Sequence, residues 1–389
     1  MWNNGKLELI APCHFGLEAV LKREITREGW EILEVEDGRV IFAGDARTVC
    51  DANIRLRTAE RILIRLGAFR AESFDELFEE TRRLPLDAFL PPDARFWVTK
   101  ASSVRSRLFS PSDIQSVMKK AMVEGMRDRT GAASFPEDGP AYPIRVTIRN
   151  NIVTVALDTT GDALHKRGYR VQPVLAPISE TLAAAILELS PWRPGRLLVD
   201  PFCGSGTIPI EAAMRAKGIA PGLKRRFLSE KWTTVVTPGD FRRARREAEE
   251  RIVREPLAEI RIQGYDIDGR AVRAARANAE AAGVADLIHF QRRPVSELNS
   301  PGSYGFIVTN PPYGERIGEA EGLEALYREI GEAYGRLDSW SMYLITSYRE
   351  AEKAIGRRAD RNRKIYNGML QTYLYQYMGP KPAGRGEKR

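Results

Sequence analysis

Residues 196–216 read RLLVDPFCGSGTIPIEAAMRA. Leu197 to Val199 is a short apolar run of β-formers, Asp200 closes it, and from Thr207 the pattern becomes helical. Between them DPFCGSGT holds two glycines that allow a sharp turn from strand into helix and a close backbone approach to a ligand. The first turn of the helix leaves N–H groups without intrahelical partners at the positive end of the dipole, a setting for a carboxylate or phosphate. A bare G-x-G is equally a structural turn. With an acid at the strand end, and strand and helix on either side, it reads as a cofactor loop in an α/β fold.

Downstream, IRIQGYDIDGRAVRAARANAEAAG (260–283) repeats the strand–acid–helix pattern. Asp268 stands where a helix cap is expected, which leaves Asp266 at the strand end to take the hydroxyls of a ribose. The distance from Asp200 far exceeds the ~20 residues of a dinucleotide fold, and G-x-G-x-x-G is missing, which argues against NAD. The extra length is a basic insert, 218–255.

A third stretch, TNPPYGERIG (309–318), follows the apolar run YGFIV (304–308). Two prolines stop a strand because they offer no N–H to a ladder. Asn310, the carbonyls of Pro311 and Pro312, and Tyr313 are then held at the mouth of a sheet. Read alone, this is equally a strand-ending turn.

The rest of the chain splits in two. At 389 residues it calls for two or three domains. The front half alternates strand 6–11, helix 14–29, a hairpin over 30–45 about Asp37-Gly38, a helix through Val49 and Ala52, and strand 61–67, a ferredoxin-like order. A second α+β unit follows: helix 73–84, strand 96–102, helix 110–131, and a hairpin over 143–161 turning at Asn150-Asn151. Lys100, Arg105, Arg107, Lys119 and Lys120 crowd this unit, and Lys166 and Arg167 lie in the joint, 163–177. Each alone is an ordinary solvated charge; together they suit phosphates. The formal charge of +8 points the same way. Three separated cysteines and three scattered histidines give neither a disulfide framework nor a metal cluster. No leader or membrane span is evident, so a cytoplasmic protein, with a monomer favoured, is expected.

DPFCGSGTIPIEAA, GYDID and TNPPYGERIG together resemble the class I S-adenosylmethionine-dependent methyltransferases that modify amino groups. More narrowly, with LHKRGYR (164–170), APISETLAAAIL (176–187) and KIYNGMLQTYLYQY (364–377), the chain resembles the THUMP-domain RNA guanine-N2 methyltransferases. The resemblance implies an α/β, Rossmann-like methyltransferase domain with a mostly parallel seven-stranded sheet (163–380), behind ferredoxin-like (1–68) and THUMP (69–162) units, and a basic tail (381–389). It implies S-adenosyl-L-methionine held by Asp200, Pro201, Cys203, Gly204, Gly206, Thr207, Asp266, Ile267, Ser179, Thr181 and Asn310. Catalysis would fall to Asn310, Pro311, Pro312 and Tyr313, without a metal. RNA, ribosomal before transfer RNA, would meet Lys100, Arg105, Arg107, Lys119, Lys120, Lys166 and Arg167. The pattern departs at HFQRRPVSEL (289–298), where many such enzymes place an acid near Arg293 for the adenine amino group. Other readings stand beside these: Cys203 as a covalent nucleophile, His165 as a linker hydrogen-bonder, Ser179 and Thr181 as helix caps, and Lys364, Tyr366 and Asn367 as substrate-side residues or a hairpin turn. DNA adenine-N6 methylation, glutamine methylation of a protein, and a non-enzymatic RNA-binding role are the competing functions.

Overall fold

The computed structural model describes residues 6–132, 134–172, 178–254, 261–314, 322–368 and 370–382. Pro173 and Pro177 of the joint, Ala176 of APISET, residues 315–318 of TNPPYGERIG and residues 383–389 of the tail lie outside the described residues.

The chain forms two compact units that are not contiguous in sequence. One comprises Met1–Cys13, Lys22–Leu164 and Arg225–Ala248; the other comprises His14–Leu21, His165–Lys224 and Glu249–Arg389. Within the first unit run β1 (Leu7–Pro12), most of α1 (Glu18–Arg27), β2 (Ile32–Glu36), β3 (Arg39–Gly44), α2 (Ala46–Arg55), β4 (Leu63–Arg70), α3 (Phe74–Arg82), β5 (Arg95–Val104), α4 (Pro111–Thr130), β6 (Ala141–Arg149) and β7 (Ile152–Asp158). They build one seven-stranded sheet in the order β2-β3-β1-β4-β7-β6-β5. The ferredoxin-like and second α+β halves are fused by the antiparallel β4–β7 pair, Leu63↔Asp158 to Arg70↔Ile152. The β6–β7 turn has both Asn150 and Asn151 at positive φ (51° and 65°), as a two-residue type I′ hairpin requires.

The helix expected over 14–29 begins only at Glu18, because Gly16 is left-handed (φ 92°) and its N–H is taken by the Glu18 carboxylate. The basic insert also differs from a loose excursion. It carries α7 (Pro238–Glu250), and Trp232 stacks on Tyr142 with centroids 4.6 Å apart while its indole N–H donates to the Ala141 carbonyl at 2.8 Å. Arg243 pairs with Asp51 and Glu247, so these insert charges are compensated inside the first unit.

The second unit holds α5 (Glu180–Leu189), β8 (Leu198–Asp200), α6 (Thr207–Ala216), β9 (Ile262–Asp266), α8 (Gly269–Ala282), β10 (Ile288–Arg292), β11 (Phe306–Thr309), α9 (Leu323–Gly335), β12 (Ser341–Thr346), α10 (Ala351–Ile355), β13 (Arg361–Asn367) and β14 (Leu370–Tyr377). Its sheet order is β10-β9-β8-β11-β12-β14-β13. The first five strands are parallel and the last two antiparallel. Short, wholly apolar strands such as FIVT are what a sheet covered on both faces requires. Ile186, Ile208, Val272 and Ala275 cover one face; Tyr327, Ile330, Trp340 and Ile355 cover the other. This is a doubly wound, Rossmann-like sheet.

Candidate active site

The strand order reverses between β8 and β11, so the carboxyl ends of these neighbours open a crevice at the topological switch point. Asp200 ends one strand and Thr309 the other. Thr309 Oγ1 donates to Asp200 Oδ1 at 2.7 Å, and the Phe202 N–H donates to the same oxygen at 3.1 Å. The glycine loop and the NPPY stretch are therefore joined by a direct hydrogen bond. Asp200 is buried, and that burial pushes its pKa up to about 7, with Asp266 adding to the effect and the Thr309 and Phe202 donors opposing it.

The loop is also stitched to β9. The Cys203 N–H donates to the Tyr265 carbonyl at 2.8 Å, and the Gly204 N–H to Asp266 Oδ2 at 3.0 Å. Asp266 Oδ1 receives the Asp268 N–H at 2.9 Å, while Asp268 itself caps α8 through the Arg270 N–H. Each Asp266 oxygen keeps a lone pair for a further donor, and burial raises its pKa.

The two loop glycines serve different ends. A Cβ on Gly204 (φ 52°) would meet nothing within 4 Å, so this turn opens onto free space. A Cβ on Gly206 (φ 84°) would lie 3.0 Å from both the Ala275 Cβ and the Phe290 ring, so Gly206 lets α6 pack against α8 and β10. Ile267, 67% exposed, follows Asp266 directly and offers an apolar surface for a flat ring. An open glycine turn, a helix N-terminus at Thr207, an acid with spare acceptors and an exposed isoleucine fit an adenosyl cofactor. Pro201 and Thr207 complete the loop, and Thr207 accepts a hydrogen bond from Arg170. Cys203 is buried, and that burial, reinforced by Asp200 and Asp266, holds its thiol well above the usual range. It packs inside the loop, a setting that speaks against the covalent-nucleophile reading.

Past Thr309, Asn310 is half-buried, Pro311 buried, Pro312 exposed and Tyr313 half-buried. The Pro312 carbonyl accepts from Tyr327 Oη at 3.1 Å. Tyr327 Oη lies 2.5 Å from Thr346 Oγ1, so α9 and β12 together hold the NPPY backbone. Tyr327 is fully buried.

Ser179 caps α5, as one of the two sequence readings has it, accepting from the Leu182 N–H. Arg170 binds Glu180 and donates to the Ile178 carbonyl and to Thr207 Oγ1 (3.2 Å), which brings the start of α5 to the start of α6. His14 reaches the same place: Nδ1 lies 2.9 Å from the Tyr366 carbonyl, Nε2 3.2 Å from Ser179 Oγ and 3.4 Å from Thr181 Oγ1. Since a carbonyl only accepts, Nδ1 carries a proton and donates to it, while Nε2 faces the two hydroxyls. Arg170, Tyr327 and His14 escaped the sequence reading. Arg170 stands in LHKRGYR and its arginine beside an acid-capped helix was a usable signal; His14 and Tyr327 had none.

The expected RNA-facing residues divide. Lys100 is exposed on edge strand β5, Arg105 is exposed in the turn after it, and Lys120 is exposed on α4. Arg107 is exposed but paired with Glu72 at 2.9 Å. Lys119 is tied to Glu137 and the Phe96 carbonyl (2.6 Å). Lys166 is exposed, lining a cleft with His165, Arg170 and Ser179. Arg167 contradicts its expectation: it is 3% exposed and paired with buried Glu211 at 3.4 Å. A guanidinium without a solvent face reaches no phosphate, and Arg167 acts as an internal partner for the acid of α6. Among the described residues no group of His, Cys, Asp and Glu could hold a metal, no helix is long and apolar enough to cross a membrane, and all three cysteines are buried free thiols.

Comparison with known proteins fixes the family. The methyltransferase domain described as RMKL-like matches residues 167–376, a ferredoxin-like domain of the RlmL type matches 8–63, and a THUMP domain matches 71–158. The chain belongs to the RMKL-like methyltransferase family. Its relative in Bacillus subtilis (strain 168), named "Putative RNA methyltransferase YpsC", is 44% identical over 96% of each chain. A solved structure described as "a possible methylase from Clostridium difficile 630" is 47% identical, with a TM-score of 0.93 over 97% of this chain and 99% of that one. SMU.472, described as "a putative methyltransferase complexed with SAH", that is S-adenosylhomocysteine, is 38% identical with a TM-score of 0.91 over 98% of this chain and 100% of its own. This methyltransferase therefore uses S-adenosylmethionine, and the crevice between β8 and β11 is where its residues suit that cofactor.

Proposed function

We propose that the protein methylates the exocyclic N2 of a guanosine in structured RNA, 23S ribosomal RNA in particular. The observation that carries the reading is the Thr309–Asp200 hydrogen bond, which sets Asn310 beside the cofactor loop. Asp200, Pro201, Cys203, Gly204, Gly206, Thr207, Asp266 and Ile267 would hold the cofactor, with Ser179 and Thr181 at the α5 end. When bound, it supplies an electrophilic sulfonium methyl. The rest falls to the chain. An exocyclic amine is a poor nucleophile because its lone pair is delocalised into the ring. Asn310 Oδ1 and the Pro311 carbonyl accept hydrogen bonds from its two N–H groups and draw the nitrogen towards tetrahedral geometry. The Pro311–Pro312 pair and the Tyr327 hydroxyl keep these acceptors from drifting, which is preorganisation. Tyr313 stacks on the target base once it leaves its helix. The exposed Lys100, Arg105, Arg107, Lys120 and Lys166, with the THUMP unit, favour RNA. Guanine over adenine rests on the chain's resemblance to the guanine-N2 family, since Asn-Pro-Pro-Tyr serves either amino group.

The test is incubation with labelled cofactor and undermodified ribosomal RNA, transfer RNA or DNA, followed by nucleoside mass spectrometry. The expected product is N2-methylguanosine; label confined to N6-methyladenine in DNA overturns the proposal. Asn310→Ala is expected to lower kcat by at least about 100-fold, in line with loss of a transition-state acceptor. S-adenosylhomocysteine affinity should stay within about threefold by calorimetry, because the cofactor loop is untouched.

A further inference from the structure

The turn at His14–Gly16 presents an aromatic ring at the sheet edge onto which the crevice opens. Its place follows from strand register. Thr346, the carboxyl end of β12, lies opposite Tyr373 of β14, and β14 turns back so that Tyr366 lies opposite Gln371. Tyr366 is thus at the same edge of the sheet as Asn310, three strand spacings from β11, or about 14 Å.

Phe15 is fixed against this hairpin by its backbone. His14 donates to the Tyr366 carbonyl, the Tyr366 N–H donates to the Phe15 carbonyl at 3.4 Å, and Arg363 donates to the Gly16 carbonyl at 2.9 Å. Gly16 is obligatory, since a Cβ there would stand 2.5 Å from the Lys364 carbonyl. The ring itself is left 45% exposed, edge-on to Tyr366 with centroids 5.6 Å apart. Lys364, itself exposed, places Nζ 5.1 Å from the Tyr366 centroid. Glu18, the acid of the same turn, has both carboxylate oxygens on the Gly16 N–H at 3.0 and 3.1 Å. A phenylalanine so firmly framed, with its ring kept out of the core and against a tyrosine that carries a cation over its face, suits a partner with a flat apolar face and negative charge.

We propose that Phe15, with Tyr366 and Lys364, is a stacking platform for an RNA nucleotide neighbouring the one that is methylated. This rests on the reading of the crevice as an RNA-methylating site. The base lies on the Phe15 ring, and Lys364 meets the adjoining phosphate. Base–aromatic stacking of this kind is sequence-tolerant and contributes about 1–3 kcal/mol per base, so the platform holds the strand while Asn310 selects the amine.

The experiment uses the full-length protein and has two parts. Phe15→Ala is expected to raise the KM for the RNA substrate about tenfold, with S-adenosylhomocysteine affinity and thermal midpoint unchanged, and Phe15→Tyr is expected to restore the wild-type KM. In Phe15→Trp, titration with a hexameric oligo(rA) is expected to quench tryptophan emission beyond the quenching of the wild-type protein. An unchanged RNA KM in Phe15→Ala, or a KM defect that Phe15→Tyr does not repair, overturns the platform, as does the absence of extra quenching. Wild-type protein that methylates no RNA would overturn the proposed function instead, and oligo(rA) quenching would still decide the platform.

Discussion

Asp200→Asn tests the electrostatics of the crevice most directly. In the folded chain burial raises the Asp200 carboxyl from 3.8 to about 7, so the native state keeps a proton that the unfolded state releases. Stability attributable to this group is therefore full below the unfolded value, falls as pH rises, and reaches its minimum above pH 7. The two pKa values lie about 3 units apart; about 2 of those units fall between pH 5 and 8, and at 1.36 kcal/mol per unit the wild-type protein should lose about 3 kcal/mol over that range from this site alone. Asparagine keeps an oxygen for Thr309 and Phe202 but has no charge to desolvate. Its amide nitrogen adds a constant offset of about 1–3 kcal/mol if it finds no acceptor, so the slope with pH carries the information. Chemical denaturation of the cofactor-free protein at pH 5, 6, 7 and 8 should show Asp200→Asn gaining on wild type by about 3 kcal/mol across the series. Parallel stability curves for the two proteins would refute the assignment of a buried, proton-retaining Asp200.

Two further perturbations separate packing from chemistry. Tyr327→Phe removes the donor to the Pro312 carbonyl; kcat is expected to fall about tenfold while S-adenosylhomocysteine affinity holds, at a stability cost of about 1 kcal/mol, and a kcat within twofold of wild type would show that the clamp is idle. Gly206→Ala meets a left-handed φ and two atoms at 3.0 Å, so it should cost about 2–4 kcal/mol by thermal or chemical denaturation. Gly204→Ala, facing open space, should instead weaken cofactor binding in calorimetry with a stability loss of about 1–2 kcal/mol.

The parts legible in the sequence are those whose signals are local. A strand, an acid, glycines and a helix within 196–216 marked the crevice, and Asp37-Gly38 and Asn150-Asn151 marked their hairpins, because turn chemistry resides in two residues. Asp268 was separable from Asp266 because a cap needs only the next N–H groups. The failures are long-range. Nothing near Arg167 announces that Glu211, on α6, will bury it. The insert's arginines read as a basic surface, yet Asp51, far upstream, lies beside Arg243. His14 sits in an unremarkable turn, and its meeting with Ser179 and Tyr366 depends on the fold as a whole.

The interleaving of the two compact units has a consequence for synthesis. The first unit takes its Arg225–Ala248 piece from beyond β8 and α6, and Trp232 in that piece covers Tyr142. A nascent chain leaving the ribosome therefore cannot finish its leading unit when residue 164 emerges; it must wait for the helix that ends near Glu250. The second unit waits in reverse, since His14–Leu21 is made first but has no β13 to lie on until residue 367. Closure of both units late in translation raises the contact order and slows folding. It also means that a chain terminated before Ala248 lacks a piece of both units, whereas one terminated beyond it lacks a piece of the second unit alone.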